Sequence, residues 1–217
     1  MSRMKLLVLL VLAVSVTVGC GNQATTEPLG FVEKVEKGEA FVKKAAAPDF
    51  AKVEGRLALF EGDVVKTSEA GEAVIRFATG AVTRVMPNSR FEIQPIKVVQ
   101  TSQKVVYTRL AEGIAYFYVE KDKEGAKKFE VETNRAIASI KGTTFKVEVT
   151  DAATTLTVGE GLVGFVDKAS GKSVDVPALQ RAVATEQGLQ GPEPFNALAD
   201  SYLSDAGAVQ YFQTGGN

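Results

Sequence analysis

The stretch Phe129–Val149, FEVETNRAIASIKGTTFKVEV, decides the fold class. Phe129, Val131 and Thr133 fall on one side of a two-residue alternation, with Glu130 and Glu132 on the other. Ala136, Ala138 and Ile140 repeat the pattern, and Phe145, Val147 and Val149 repeat it again against Lys146 and Glu148. Successive side chains of a strand point to opposite faces, so this period marks strands buried on one face. Gly142-Thr143-Thr144 interrupts the run, and a glycine enters φ > 0 with no Cβ to obstruct it. The expectation is a β hairpin turned at Gly142.

The same rhythm extends in both directions. Phe31–Lys44 holds two short alternating runs around Lys37-Gly38-Glu39, read as a hairpin turn. Val64-Val65 leads to a turn at Ser68–Gly71, and Ala73, Ile75 and Phe77 then alternate with Val74 and Arg76. Turns follow at Thr79-Gly80 and Pro87-Asn88-Ser89. Val105–Leu110 and Ile114–Val119 read as two strands separated by Ala111-Glu112-Gly113. Further turns at Gly159-Glu160-Gly161 and Ser170-Gly171 complete a chain punctuated every eight to twelve residues or so, the spacing of an all-β sandwich or β-roll of short strands. Gly142, Gly80 and Gly71 are the expected structural turn glycines. From Pro194 the period changes: Phe195, Leu198, Ala199, Tyr202, Leu203, Ala206, Val209 and Phe212 follow helical spacing, predicting a C-terminal amphipathic helix.

The N-terminus carries an address. Arg3 and Lys5 precede the apolar run Leu6–Val18, shorter than the ~20 residues of a membrane span but suited to a secretory signal. Cys20, the only cysteine, follows at Val18-Gly19, and TVGC resembles the bacterial lipobox, which implies lipid attachment at Cys20. Gly21 follows in place of an aspartate, which by that resemblance points to the outer membrane, facing the periplasm. Only five residues precede the apolar run, so no cytoplasmic arm is expected.

Composition narrows the chemistry. The 217 residues contain no histidine and no tryptophan, and the net charge is −1. Lack of histidine removes the commonest general base and the commonest zinc ligand, and a balanced charge gives no argument for nucleic acid. Ser170-Gly171-Lys172-Ser173 resembles the end of a phosphate loop but precedes a strand and lacks the first glycine. Asp122 and Glu124 lack the spaced oxygen ligands of a calcium loop, and Ser139 with Lys141 makes no recognisable nucleophile pair. No catalytic residue, metal or cofactor is expected. The surface candidates are Tyr107, Tyr116, Tyr118, Arg84 and Arg109, because tyrosine and arginine dominate interface hot spots.

One set of residues occurs in a recognisable order. It runs Gly62-Asp63-Val64-Val65 with Thr67, Gly71, Ala73–Phe77 and Gly80, then Leu110–Gly113, Phe129–Thr133, Lys141–Val147 and Gly159–Gly161. This resembles the FecR domain, the periplasmic module of ferric-citrate-type sigma-factor regulators. The resemblance implies a β domain with no catalytic residues. The expected organisation is a signal peptide at 1–19, a flexible tether at 20–30, a FecR-like β domain at 31–190 and a helix with tail at 191–217. The expected function is a non-enzymatic envelope lipoprotein, anchored to the membrane through Cys20, that binds another envelope protein or senses a signal. The alternative is a glycan or peptidoglycan binder using aromatic side chains on a β face.

Overall fold

The computed structural model describes residues 27–95, 104–121, 127–140, 142–196 and 199–203. Cys20 and the signal segment lie outside them, as does the predicted helix beyond Leu203.

The described residues form seventeen strands. In the N-terminal part these are β1 (Gly30–Lys37), β2 (Ala40–Lys43), β3 (Ala51–Lys52), β4 (Leu57–Leu59), β5 (Val64–Thr67), β6 (Glu72–Phe77), β7 (Val82–Val85) and β8 (Arg90–Ile93). A long strand, β9 (Lys104–Tyr118), follows. Beyond it come β10 (Lys127–Glu132), β11 (Ala136–Ile140), β12 (Thr144–Val149), β13 (Ala153–Glu160), β14 (Leu162–Asp167), β15 (Ser173–Pro177), β16 (Gln180–Thr185) and β17 (Gly188–Pro194).

Strand pairing resolves these into two open layers that share β9. Sheet A runs β4-β1-β6-β7-β9-β12-β13-β16-β17, and sheet B runs β3-β2-β5-β8-β9-β10-β11-β14-β15. The first half of β9 lies in sheet B, where Leu110 faces Phe91. Its second half lies in sheet A, where Phe117 faces Phe145 and Thr83. Gly113, at φ +89°, is where the strand passes from one layer to the other. A Cβ there would stand 2.2 Å from Ser89 Oγ, so no other residue fits the corner without displacement.

Between the layers lies one aromatic core. Phe77 of sheet A meets Phe129 of sheet B edge-on at 5.3 Å, Phe117 meets Phe129 at 5.8 Å, and Phe117 stacks on Phe145 at 4.7 Å. Phe91, Phe117 and Phe145 are fully buried. Offset and edge-to-face rings of this kind add ~0.5–1.5 kcal/mol per pair beyond their buried area. The alternation read in Phe129–Val149 supplies this core: Phe129, Val131, Ala138, Ile140, Phe145 and Val147 all point inward.

The all-β class is as expected, but several connections differ. Ala111-Glu112-Gly113 is not a turn between strands; it lies within the single strand β9. Gly38 closes no hairpin, because β1 pairs in sheet A and β2 in sheet B. Gly142 likewise lies between β11 of sheet B and β12 of sheet A. The hairpin within the central stretch is β10–β11, closed where Thr133 N–H donates to Ala136 C=O at 2.8 Å and Ala136 N–H donates to Thr133 Oγ1 at 2.9 Å. β10 also runs parallel to the first half of β9. After β9 the chain lays down four hairpins that alternate between the layers: β10–β11 and β12–β13 each border β9, and β14–β15 and β16–β17 then extend the same two sheets outward.

Pro192 and Pro194, expected to start a helix, sit in β17, an exposed edge strand. An edge tolerates proline because one side of its ladder has no donor to supply. Ala199 has 3₁₀ geometry and residues 201–203 form a turn; none of the described residues is α-helical.

Asp63 and Thr67, of the resemblance motif, are corner fixtures. Asp63, 2% exposed, accepts from Lys44 Nζ at 2.7 Å, Phe60 N–H at 2.9 Å and Ala45 N–H at 3.1 Å. Thr67 Oγ1 donates to Met86 C=O at 2.6 Å and accepts from Ser89 N–H at 3.0 Å. These contacts satisfy loop backbone groups that no ladder reaches.

Candidate binding surfaces

Two layers have two outer faces, and the candidate residues divide between them. In the second half of β9, Phe117 points into the core, so Tyr116 and Tyr118 point out of sheet A. Register places Arg84 of β7 beside Tyr116, and Lys146 of β12 on its other side. This face is covered. Tyr116 is 7% exposed, Tyr118 0% and Arg84 6%, so these three do not form the open surface expected of them.

The cover is the segment around residues 199–203. Tyr116 Oη donates to Asp200 Oδ2 at 2.9 Å, and Lys146 Nζ donates to the same atom at 3.1 Å. Tyr118 Oη donates to the Tyr202 carbonyl at 2.9 Å. The Tyr202 ring lies 5.0 Å from the Tyr116 ring and 4.9 Å from the Arg84 guanidinium. Leu203 is buried against Val74, Val82, Tyr116 and Tyr118. Burial pushes both phenols well above their usual range, helped at Tyr116 by the hydrogen bond to Asp200 and by its charge. Both hydroxyls are therefore neutral donors at any physiological pH.

Beside the phenols lies a buried charge network. Arg84 pairs with Glu72, which is 2% exposed, and with Glu36 at 2.6 Å; Lys37 reaches Glu72 at 3.2 Å. Burial raises the Glu36 carboxyl, but the Lys34 hydrogen bond and the Arg84 charge outweigh it and hold the group below its ordinary value. Sequence reading missed this network. Its signal was Glu72 and Arg84 in outward positions of the neighbouring strands β6 and β7, but alternation assigns such residues to solvent.

Sheet B presents the other face. Its outward rows are Glu92, Arg109, Glu132, Ile137 and Val166, and beside them Tyr107, Glu130, Ser139, Gly164 and Asp175. Tyr107, Arg109 and Ile137 are partly exposed. Arg109 reaches Glu92 at 3.6 Å and Asn134 Oδ1 at 2.7 Å. Towards Gly142 the face sinks into a hollow of about 610 Å³ between Lys128, Ser139, Gly164 and Asp175, with Leu162, 51% exposed, at its rim. Tyr107 and Arg109 thus belong to a different surface from Tyr116, Tyr118 and Arg84.

The turn glycines take distinct roles. Gly142 has φ +87°, and a Cβ would stand 2.5 Å from Lys121 Cα. Gly80 has φ +91° in the β6–β7 hairpin, with open space around it. Gly71 has no positive φ; what it provides is room, since a Cβ would lie 2.2 Å from the Glu39 carbonyl oxygen.

Residues 63–164 match the family model described as FecR protein. Two solved structures of an anti-sigma factor candidate from Parabacteroides distasonis ATCC 8503, at 2.50 Å and 1.65 Å resolution, share the fold with TM-scores of 0.53 and 0.52. Identity is 16% in both, and each match covers 65% of this chain. It spans less than two thirds of those chains, 64% and 65% respectively. No curated protein matches the sequence.

Proposed function

We propose that this chain, which carries a FecR domain, is a non-enzymatic module of the bacterial cell envelope that binds another envelope protein through the outer face of sheet B. One observation carries the reading: that face presents Arg109 and Ile137 partly exposed in a row with Glu92 and Glu132, and Tyr107 partly exposed in the row beside it. Tyrosine and arginine flanked by polar rim residues are the composition of interface centres. The glycan alternative is less favoured, because Tyr116 and Tyr118, which would stack on sugar rings, lie beneath residues 199–203.

The module is held at the membrane by lipid on Cys20, in the outer membrane facing the periplasm. The support is the apolar run ending at the lipobox-like TVGC and the glycine that follows it. Stable anchoring takes more than one acyl chain, which a multiply acylated cysteine supplies.

Crosslinked pull-down from intact envelopes tests the binding reading. Tyr107→Ala and Arg109→Ala should each weaken partner recovery by about thirtyfold, the equivalent of ~2 kcal/mol at a hot spot, with the cooperative melting transition retained. Unchanged recovery from both variants would overturn this surface. Fractionation tests the anchor: Cys20→Ser should move the protein from the membrane pool to the soluble pool, and wild type in the soluble pool would refute it.

A further inference from the structure

The outer face of sheet A offers a matched set of groups. Tyr116, Tyr118 and Lys146 are all donors, and their acceptors come from one short piece of chain: the Asp200 carboxylate takes two and the Tyr202 carbonyl takes the third. One aromatic ring, Tyr202, fills the space between Tyr116 and Arg84. The backbone of this piece joins no sheet ladder among the described residues. Two of its amides bond within the piece or just before it, Ala199 N–H to Asn196 C=O at 3.1 Å and Leu203 N–H to Asp200 C=O at 3.0 Å, and its Tyr202 carbonyl bonds a side chain, Tyr118 Oη. It is therefore a compact turn seated by side chains. Elements held that way open locally at lower cost than ladder strands.

We propose that the outer face of sheet A is a recognition site for a partner's chain segment carrying a carboxylate two residues before an aromatic ring, and that residues 199–203 occupy it as the chain's own stand-in. The seated segment specifies the occupant's chemistry. A carboxylate is required to pair Lys146 and the Tyr116 hydroxyl, which would otherwise be left as poorly compensated donors, and an aromatic ring is required over the Arg84 guanidinium. Because the phenols stay neutral, the site selects an acceptor rather than a cation. The partner segment competes with residues 199–203 for the same atoms, so binding couples to their release. This surface is separate from that of Tyr107 and Arg109, and either reading can fail alone.

Hydrogen exchange on the full-length wild type is the first test. The Leu203 amide should exchange at least a hundredfold faster than the Val147 amide in β12; equal rates would make the segment an integral part of the fold and overturn the proposal. The second test uses full-length Asp200→Lys, in which like charge at Lys146 expels the segment, and a labelled peptide with the sequence of residues 195–203. The peptide should bind this variant, bind wild type at least tenfold more weakly, and lose binding when Lys146→Glu is added. Its melting curve should retain the cooperative transition of the core. Equal binding to wild type, or no binding to a folded Asp200→Lys variant, would overturn the site. A wild-type dimer in sedimentation, lost in the Asp200→Lys variant, would assign the occupant to a second copy and overturn the partner reading.

Discussion

The two outer faces share a strand, a period and a composition, yet treat their polar side chains oppositely. On sheet A, Arg84, Tyr116, Tyr118 and Lys146 lie beneath residues 199–203, and Glu72 is paired out of water. On sheet B, Arg109, Glu132 and Tyr107 stand in equivalent outward positions and remain partly in solvent. Alternation decides which side chains leave the core. It does not decide whether another part of the chain covers them, and that second choice sets what each group contributes.

The largest expected contrast comes from charge. Arg84→Ala leaves Glu72 buried with only Lys37 in reach, and should cost about 3–5 kcal/mol, whereas Arg109→Ala should cost under about 1 kcal/mol. Urea unfolding of the two variants measures both; similar losses would erase the distinction between the faces. Gly113→Val tests what the faces share. Its φ of +89° and the overlap with Ser89 predict a loss of at least ~1–3 kcal/mol, with hydrogen-exchange protection falling in both sheets. A fall confined to one sheet would show that β9 does not couple them. Tyr118→Phe strands the Tyr202 carbonyl and should cost about 1 kcal/mol, while Tyr107→Phe should be neutral within about 0.5 kcal/mol.

The smallest effect separates the faces by pH. A folded-state pKa raised above the unfolded value contributes stability that is present below the unfolded pKa and lost as pH rises beyond it. Tyr116 and Tyr118, raised by burial, should therefore weaken the sheet A side above pH ~10, where unfolded tyrosines ionise. Asp167 has the opposite sign. The Ser170 hydroxyl and backbone N–H donate to it at the β14–β15 turn of sheet B and hold its carboxyl below the usual range. That stability is present above pH ~4 and lost as pH falls through the folded value. Melting against pH should show the alkaline limb shrink in Tyr116→Phe and the acid limb shrink in Asp167→Asn. Identical limbs in wild type and variants would remove both assignments.

Much of the molecule was legible in the residues. Phe129–Val149 showed its inward and outward sets correctly, because period two is a property of the strand itself. The ordered motif from Gly62 to Gly161 pointed to the family that residues 63–164 match. The binding candidates were legible only as residue types. Tyr107 and Tyr116 look alike in sequence, and the cover over Tyr116 comes from Asp200, 84 residues away. The helix start predicted at Pro192 and Pro194 shows the same limit: both prolines joined an edge strand paired with β16, while the predicted positions beyond Leu203 lie outside the described residues.

By itself the sequence determined where glycine lets the backbone enter positive φ and which alternating side chains face the core. Gly38, Gly113, Gly142 and Gly161 all adopt positive φ, a conformation that glycine enters without a steric penalty. What only the tertiary structure decided is where each turn leads. Gly80 and Gly171 return the chain to its neighbour in the same sheet, while Gly38, Gly142 and Gly161 carry it to the opposite layer. The local backbone chemistry of the two kinds of turn is alike. The choice between them is made by the aromatic core, because Phe77, Phe117, Phe129 and Phe145 leave water together only when their strands lie in facing layers.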